Sequence, residues 1–211
     1  MEKRKTSLRH RLNVLVAVCL IPLLVITLYL IILVYRFAER YDETVQNITT
    51  ANEYNLELKE QVDYTMYIIV VNSERAEELV DIDGPQQLIG QAKNDFKELY
   101  DLAGTSYAKN ILQRILKSLQ SLENTVTEIK KDARVTGMYD RNLERLDLDI
   151  RVQTELIQDQ IQEYINHEAN DLAALKEGVR RDVSTAITLT VVLILVISMA
   201  TVWLSRKISY N

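Results

Sequence analysis

Cysteine is almost missing from this 211-residue chain: the single one, Cys19, sits inside an apolar run. One cysteine cannot close an intrachain disulfide, so any part held outside a cell must rely on its packed core. Histidine is nearly as scarce, with two residues, and neither can pair with Cys19 in its lipid-like surroundings. There is no glycine-rich phosphate loop, no HExxH and no serine elbow. Nothing here predicts a catalytic residue, a metal ligand or a cofactor, and the chain reads as a non-enzyme. His167, without a partner histidine or cysteine, reads as a surface side chain. Proline (two) and glycine (five) are also few, so little interrupts helices. Strand-like alternation is lacking as well, apart from residues 67–71, which sit inside a longer helical rhythm. The composition excludes a strand-built sensor domain.

What the chain has instead is two long uncharged runs. Residues 12–35 hold 24 consecutive residues without a charge and residues 183–205 another 23. As helices each would be about 35 Å long, enough for a hydrocarbon core of roughly 30 Å. The first is too long for a signal peptide and ends in Tyr35-Arg36-Phe37 without a small-residue cleavage pattern, so it is expected to remain as an anchor. Lys3, Arg4, Lys5, Arg9 and Arg11 precede the first run, and Arg206 and Lys207 follow the second. Basic flanks stay cytoplasmic, which predicts a two-pass membrane protein with both termini inside.

The flanks, residues 1–11 and 206–211, carry seven Lys/Arg and one acid. The 147 residues between the spans, 36–182, hold the remaining 18 Lys/Arg and 29 Asp/Glu, a net charge of −11. Such an acidic segment argues against nucleic acid or anionic lipid as a partner and leaves cationic peptides, metal ions or neutral ligands open. Three breaks divide it, at Asp81-Ile82-Asp83-Gly84-Pro85, at Gly104-Thr105-Ser106 and at Gly137. They predict four helices, at about 38–80, 85–103, 106–135 and 138–182. Each carries an apolar stripe at steps of three and four. The stripes are Val62, Met66, Ile69, Ala76 and Val80; Ile89, Ala92, Phe96, Leu99 and Ala103; and Ile111, Ile115, Leu119, Leu122, Val126, Ile129 and Ala133. The fourth is Leu143, Leu146, Ile150, Ile157, Ile161 and Tyr164, continuing through Leu172, Leu175 and Val179 into the second span without a breaker. The expected fold is all-α: two transmembrane helices flanking an extracytoplasmic antiparallel four-helix bundle. Its first and fourth helices outrun the others and form a stem that a homodimer would cover.

Candidate ligand contacts are Asn52, Tyr54, Asn55, Tyr64 and Tyr67, because residues 48–55 are rich in Thr and Asn. That composition is poor for helix and able to place amides inside a bundle. Asp81, Asp83 and Gly84 read as a turn, since the remaining ligands of a calcium loop are missing. In the spans, Pro22 is a candidate kink and signal-relay position, and the second run is rich in Ser, Thr and Ala, which let helices approach closely. Gly178 is a candidate compliant point for signal relay.

The plan of basic N-terminus, span, helical module, span and basic exit resembles the input half of bacterial two-component sensor histidine kinases. Residues 48–70, ITTANEYNLELKEQVDYTMYIIV, and 146–165, LDLDIRVQTELIQDQIQEYI, are similar to sensor kinases with a YesM/LytS-type core. The resemblance implies an extracytoplasmic ligand or protein as stimulus, a HAMP linker and kinase core beyond Asn211, and a cognate response regulator as partner. Methyl-accepting chemoreceptors share the plan, and a non-switching membrane-anchored scaffold is the third alternative.

Overall fold

The structure is a computed structural model that describes the backbone of residues 2–209 and the side chains of residues 20–203. The side chains of Cys19, of the basic N-terminal residues and of Arg206 and Lys207 lie outside the described residues. The described chain is all-helical. Its elements are α1 (Glu2–Val71), α2 (Ala76–Leu79), α3 (Gly84–Leu102), α4 (Ser106–Asp132), α5 (Tyr139–Arg145), a π turn (Leu146–Ile150) and α6 (Arg151–Ser209). It divides into two compact units, one of residues 1–42 with 172–211 and one of residues 43–171.

In the first unit α1 and α6 present apolar side chains without a protein core to receive them. Leu24, Leu28 and Ile31 on α1, and Ile187, Leu195 and Met199 on α6, are all more than half exposed. The two helices are long and apolar enough to cross a membrane, each with a mean hydropathy of 2.4 over its most apolar stretch. Those stretches are 0% and 6% buried, which separates them from core helices of a soluble protein. The hydroxyls behave accordingly. Thr27 donates to the Leu23 carbonyl, and Thr185, Thr188, Thr190, Ser198 and Thr201 each donate to the carbonyl four residues back, at 2.8–2.9 Å. Polar groups satisfied within their own helix are what hydrocarbon demands. Ala186 on α6 is buried, at 4% exposure.

In the second unit one apolar core is fed by α1, α3, α4 and the α5–α6 segment. The stripe of α4 is its backbone: Ile111, Ile115, Leu119, Leu122, Val126 and Ile129 are all 0–1% exposed. Burying such side chains contributes about 1.5–3 kcal/mol each. Val62 and Met66 from α1, Ile89 and Phe96 from α3, and Ile150, Ile157 and Ile161 complete it. Polar contacts at the margins link neighbours. Lys93 reaches Glu123 at 2.7 Å between α3 and α4, Arg114 reaches Glu163 at 2.7 Å between α4 and α6, and Lys59 reaches Glu155 at 3.0 Å between α1 and α6.

The turns follow local chemistry. Thr105 caps α4 by accepting from the Ala108 amide at 3.1 Å. Asp81 accepts from the Asp83 amide at 3.0 Å ahead of Pro85, which enters the first turn of α3. Gly137 takes φ +86°, the left-handed region that a side chain resists, and so closes the turn between α4 and α5.

Two element bounds differ from expectation. The first helix ends at Val71 rather than near residue 80: Asn72 and Ser73, whose side chains compete for backbone bonds, follow a β-branched pair, and the chain resumes helix only in α2. The fourth helix is not uniform α from residue 138, because the π turn interrupts it at Leu146–Ile150.

Candidate functional site

The five residues singled out in α1 part company. Asn52 is exposed. Tyr54 turns inward, donating its hydroxyl to Asp95 Oδ2 at 2.6 Å with its ring 5.7 Å from that of Phe96; burial and the Asp95 carboxylate push its phenol well up. Asn55 is also buried. Its Nδ2 donates to Gln162 Oε1 at 3.3 Å, and its Oδ1 is buried without a partner among the described residues. These two act at helix contacts within the core. Tyr64 and Tyr67 instead stand on the surface, 61% and 48% exposed, and line a cavity.

That cavity, about 220 Å³, lies in the second unit and is walled by Asp63, Tyr64 and Tyr67 of α1 and by Leu146 and Arg151. Leu146 opens the π turn and Arg151 directly follows it. The buried residues Asn142, Leu146, Ile150 and Thr154 fall at steps of four, twelve residues over three turns where a regular helix takes about 10.8. The surplus residue is absorbed by the wide turn, and such turns recur at functional sites.

Asp63 is the polar centre of the cavity. It accepts from the Thr154 hydroxyl at 3.0 Å. The nearby cations serve other acids: Lys59 bonds Glu155 at 3.0 Å and Arg151 bonds Asp147 at 3.1 Å. Asp63 makes no ion pair among the described residues, and burial lifts its carboxyl above the ordinary value of 3.8, against the opposing pull of Thr154, Lys59 and Arg151.

A second, more open hollow of about 480 Å³ runs along α4 and α6 past Tyr107, Glu163 and His167. His167 is not the surface side chain expected of a lone histidine. Only 16% of its side chain is exposed, its ring meets Tyr107 edge-on at 4.9 Å, and its Nε2 lies 3.3 Å from the hydroxyl of the capping residue Thr105. Sequence reasoning missed this because the partners are 60 and 62 positions away. Next to it, Glu168 is half-buried and hydrogen-bonded with Tyr164 and Asn47, and burial raises its carboxyl above the usual range.

The two proposed relay positions lie in the first unit. Pro22 is inside α1, which continues past it. Gly178 lies within α6, and an added Cβ there would meet nothing within 4 Å. No group of three or more potential metal ligands occurs among the described residues. No known protein family, curated protein or solved structure matches the chain.

Proposed function

We propose that the chain is the transmembrane signal-input module of a bacterial sensor histidine kinase. An extracytoplasmic antiparallel four-helix bundle of α1, α3, α4 and α6, dimeric in the plasma membrane, binds a stimulus at the cavity beside the π turn. Repacking there passes along α6 into the second span and on to a cytoplasmic HAMP and kinase core. The observation that carries this reading is α6 itself: the run Arg151–Ser209 gives Ile157, Ile161 and Tyr164 to the core and then becomes the second apolar stretch without a break. The cyclic order of the bundle is supported by contacts of Tyr54 with Asp95, Lys93 with Glu123, Arg114 with Glu163 and Asn55 with Gln162. A homodimer is supported by Leu56, Leu148, Val152 and Leu156, apolar yet about half exposed or more.

A π turn that relaxes to α in the native sequence must move one flank by a residue, about 100° of rotation and 1.5 Å of rise. The stimulus biases the two arrangements only by its differential affinity. The test is disulfide crosslinking in native membranes between cysteine pairs placed along residues 12–35 and 183–205, with Cys19 replaced by Ser. One alanine inserted after Leu148 serves as a mechanical stimulus. A changed crosslinking pattern is expected; an identical pattern at all pairs overturns the relay.

A further inference from the structure

The walls of the cavity specify the chemistry of what would fill them. A space of about 150 Å³ already admits a six-carbon ring, so 220 Å³ holds a compact organic molecule. Two phenol rings and the Leu146 side chain make most of the surface apolar, and Asp63 is the partly buried acid among them. A neutral apolar occupant would strip water from that carboxylate without replacing it, which is costly. An anion would meet Asp63 in a segment whose net charge is −11. A cation is favoured on both counts, and the lining rings of Tyr64 and Tyr67 are of the kind that attracts it.

We propose that the cavity formed by Asp63, Tyr64, Tyr67, Leu146 and Arg151 binds a small organic cation, an ammonium group on an apolar body of a few carbons. The ammonium pairs with Asp63, whose neighbouring cations are committed to Glu155 and Asp147. The apolar body lies against Leu146 and the tyrosine rings. Arg151 opposes the ligand by its charge, so its removal tightens binding. The assignment rests on the reading of this cavity as the stimulus site.

The test is calorimetric titration of the full chain in lipid nanodiscs with choline and with butylammonium. Each is compared with its uncharged isostere, 3,3-dimethylbutan-1-ol and butan-1-ol. Saturable binding of at least one cation, at least tenfold tighter than its isostere, is expected. Asp63→Asn should weaken it tenfold or more, Tyr67→Leu several-fold, and Arg151→Gln should strengthen it. Tyr67 is half exposed, so its variant folds even if Asp63→Asn does not. Equal binding of cation and isostere, unchanged affinity in both the Asp63 and Tyr67 variants, or no saturable binding overturns the proposal. If binding fails while the insertion after Leu148 still shifts crosslinking between the spans, the ligand class falls and the relay stands. If the cation binds and crosslinking never changes, the relay falls and the site stands.

Discussion

Glu168 shows how a single side chain sets a pH dependence. Burial is the largest influence on its carboxyl, and it outweighs the favourable hydrogen bonds from Asn47 and Tyr164 and the pull of His167, with Asp171 adding to the upward push. The folded state therefore holds this proton more tightly than the unfolded chain does. By linkage its contribution to stability is greatest below its ordinary value of 4.5 and falls as pH rises through the elevated folded value; Asp63 acts in the same direction. Thermal unfolding from pH 4 to 8 should show Glu168→Gln with a shallower loss than the wild type, and parallel curves would contradict this. Tyr54 offers a second measurement. Its hydroxyl donates to a carboxylate in a partly buried setting, so Tyr54→Phe should cost about 1–2 kcal/mol in denaturant unfolding. Ammonium binding should not change, because Tyr54 faces the core.

At the scale of elements, helix ends and irregularities carry the information. Thr105 caps α4 and also touches His167. Thr105→Ala should therefore cost about 1 kcal/mol, the usual value of a lost cap, and chemical-denaturation curves would detect it. Gly178 has the opposite sign. Nothing within 4 Å would obstruct a methyl group there, so Gly178→Ala should stabilise α6 by about 0.5–1 kcal/mol. Slower amide exchange around residues 174–182 is the readout, and unchanged exchange would remove Gly178 as a compliant point. The π turn was hidden from periodicity for a physical reason. Leu143, Leu146, Ile150 and Ile157 satisfy a regular helical count within one residue, and only the burial of Asn142 and Thr154 exposes the surplus residue. The early end of α1 was hidden similarly, since Ala76 is buried and keeps the stripe's rhythm although it belongs to α2.

For the whole molecule, the arrangement in the membrane is the testable quantity. With Cys19 replaced by Ser, single cysteines at the exposed positions Asn52, Gln91 and Tyr139 should react with a membrane-impermeant maleimide in intact cells. One placed before residue 12 should react only after lysis. Labelling of both sets from outside would refute the two-pass arrangement with cytoplasmic termini. The core has its own expected cost: Leu122→Ala on α4, at 0% exposure, should lose about 2–5 kcal/mol.

Helical content, the two apolar runs and the faces that pack were legible in the linear chain, because they depend on local period and on the absence of breakers and charges. Val62, Met66, Ile69, Phe96, Ile115, Leu119 and Ile157 are buried where their spacing put them. The division of Tyr54 and Asn55 from Tyr64 and Tyr67 was not legible, since all four lie on one helix and only the positions of α3 and α6 decide which are enclosed. Tertiary structure alone brought Leu146 and Arg151 to Asp63 and His167 to Thr105, partners between 62 and 88 residues apart in sequence. Contacts at that separation depend on how helices cross, which no local pattern encodes.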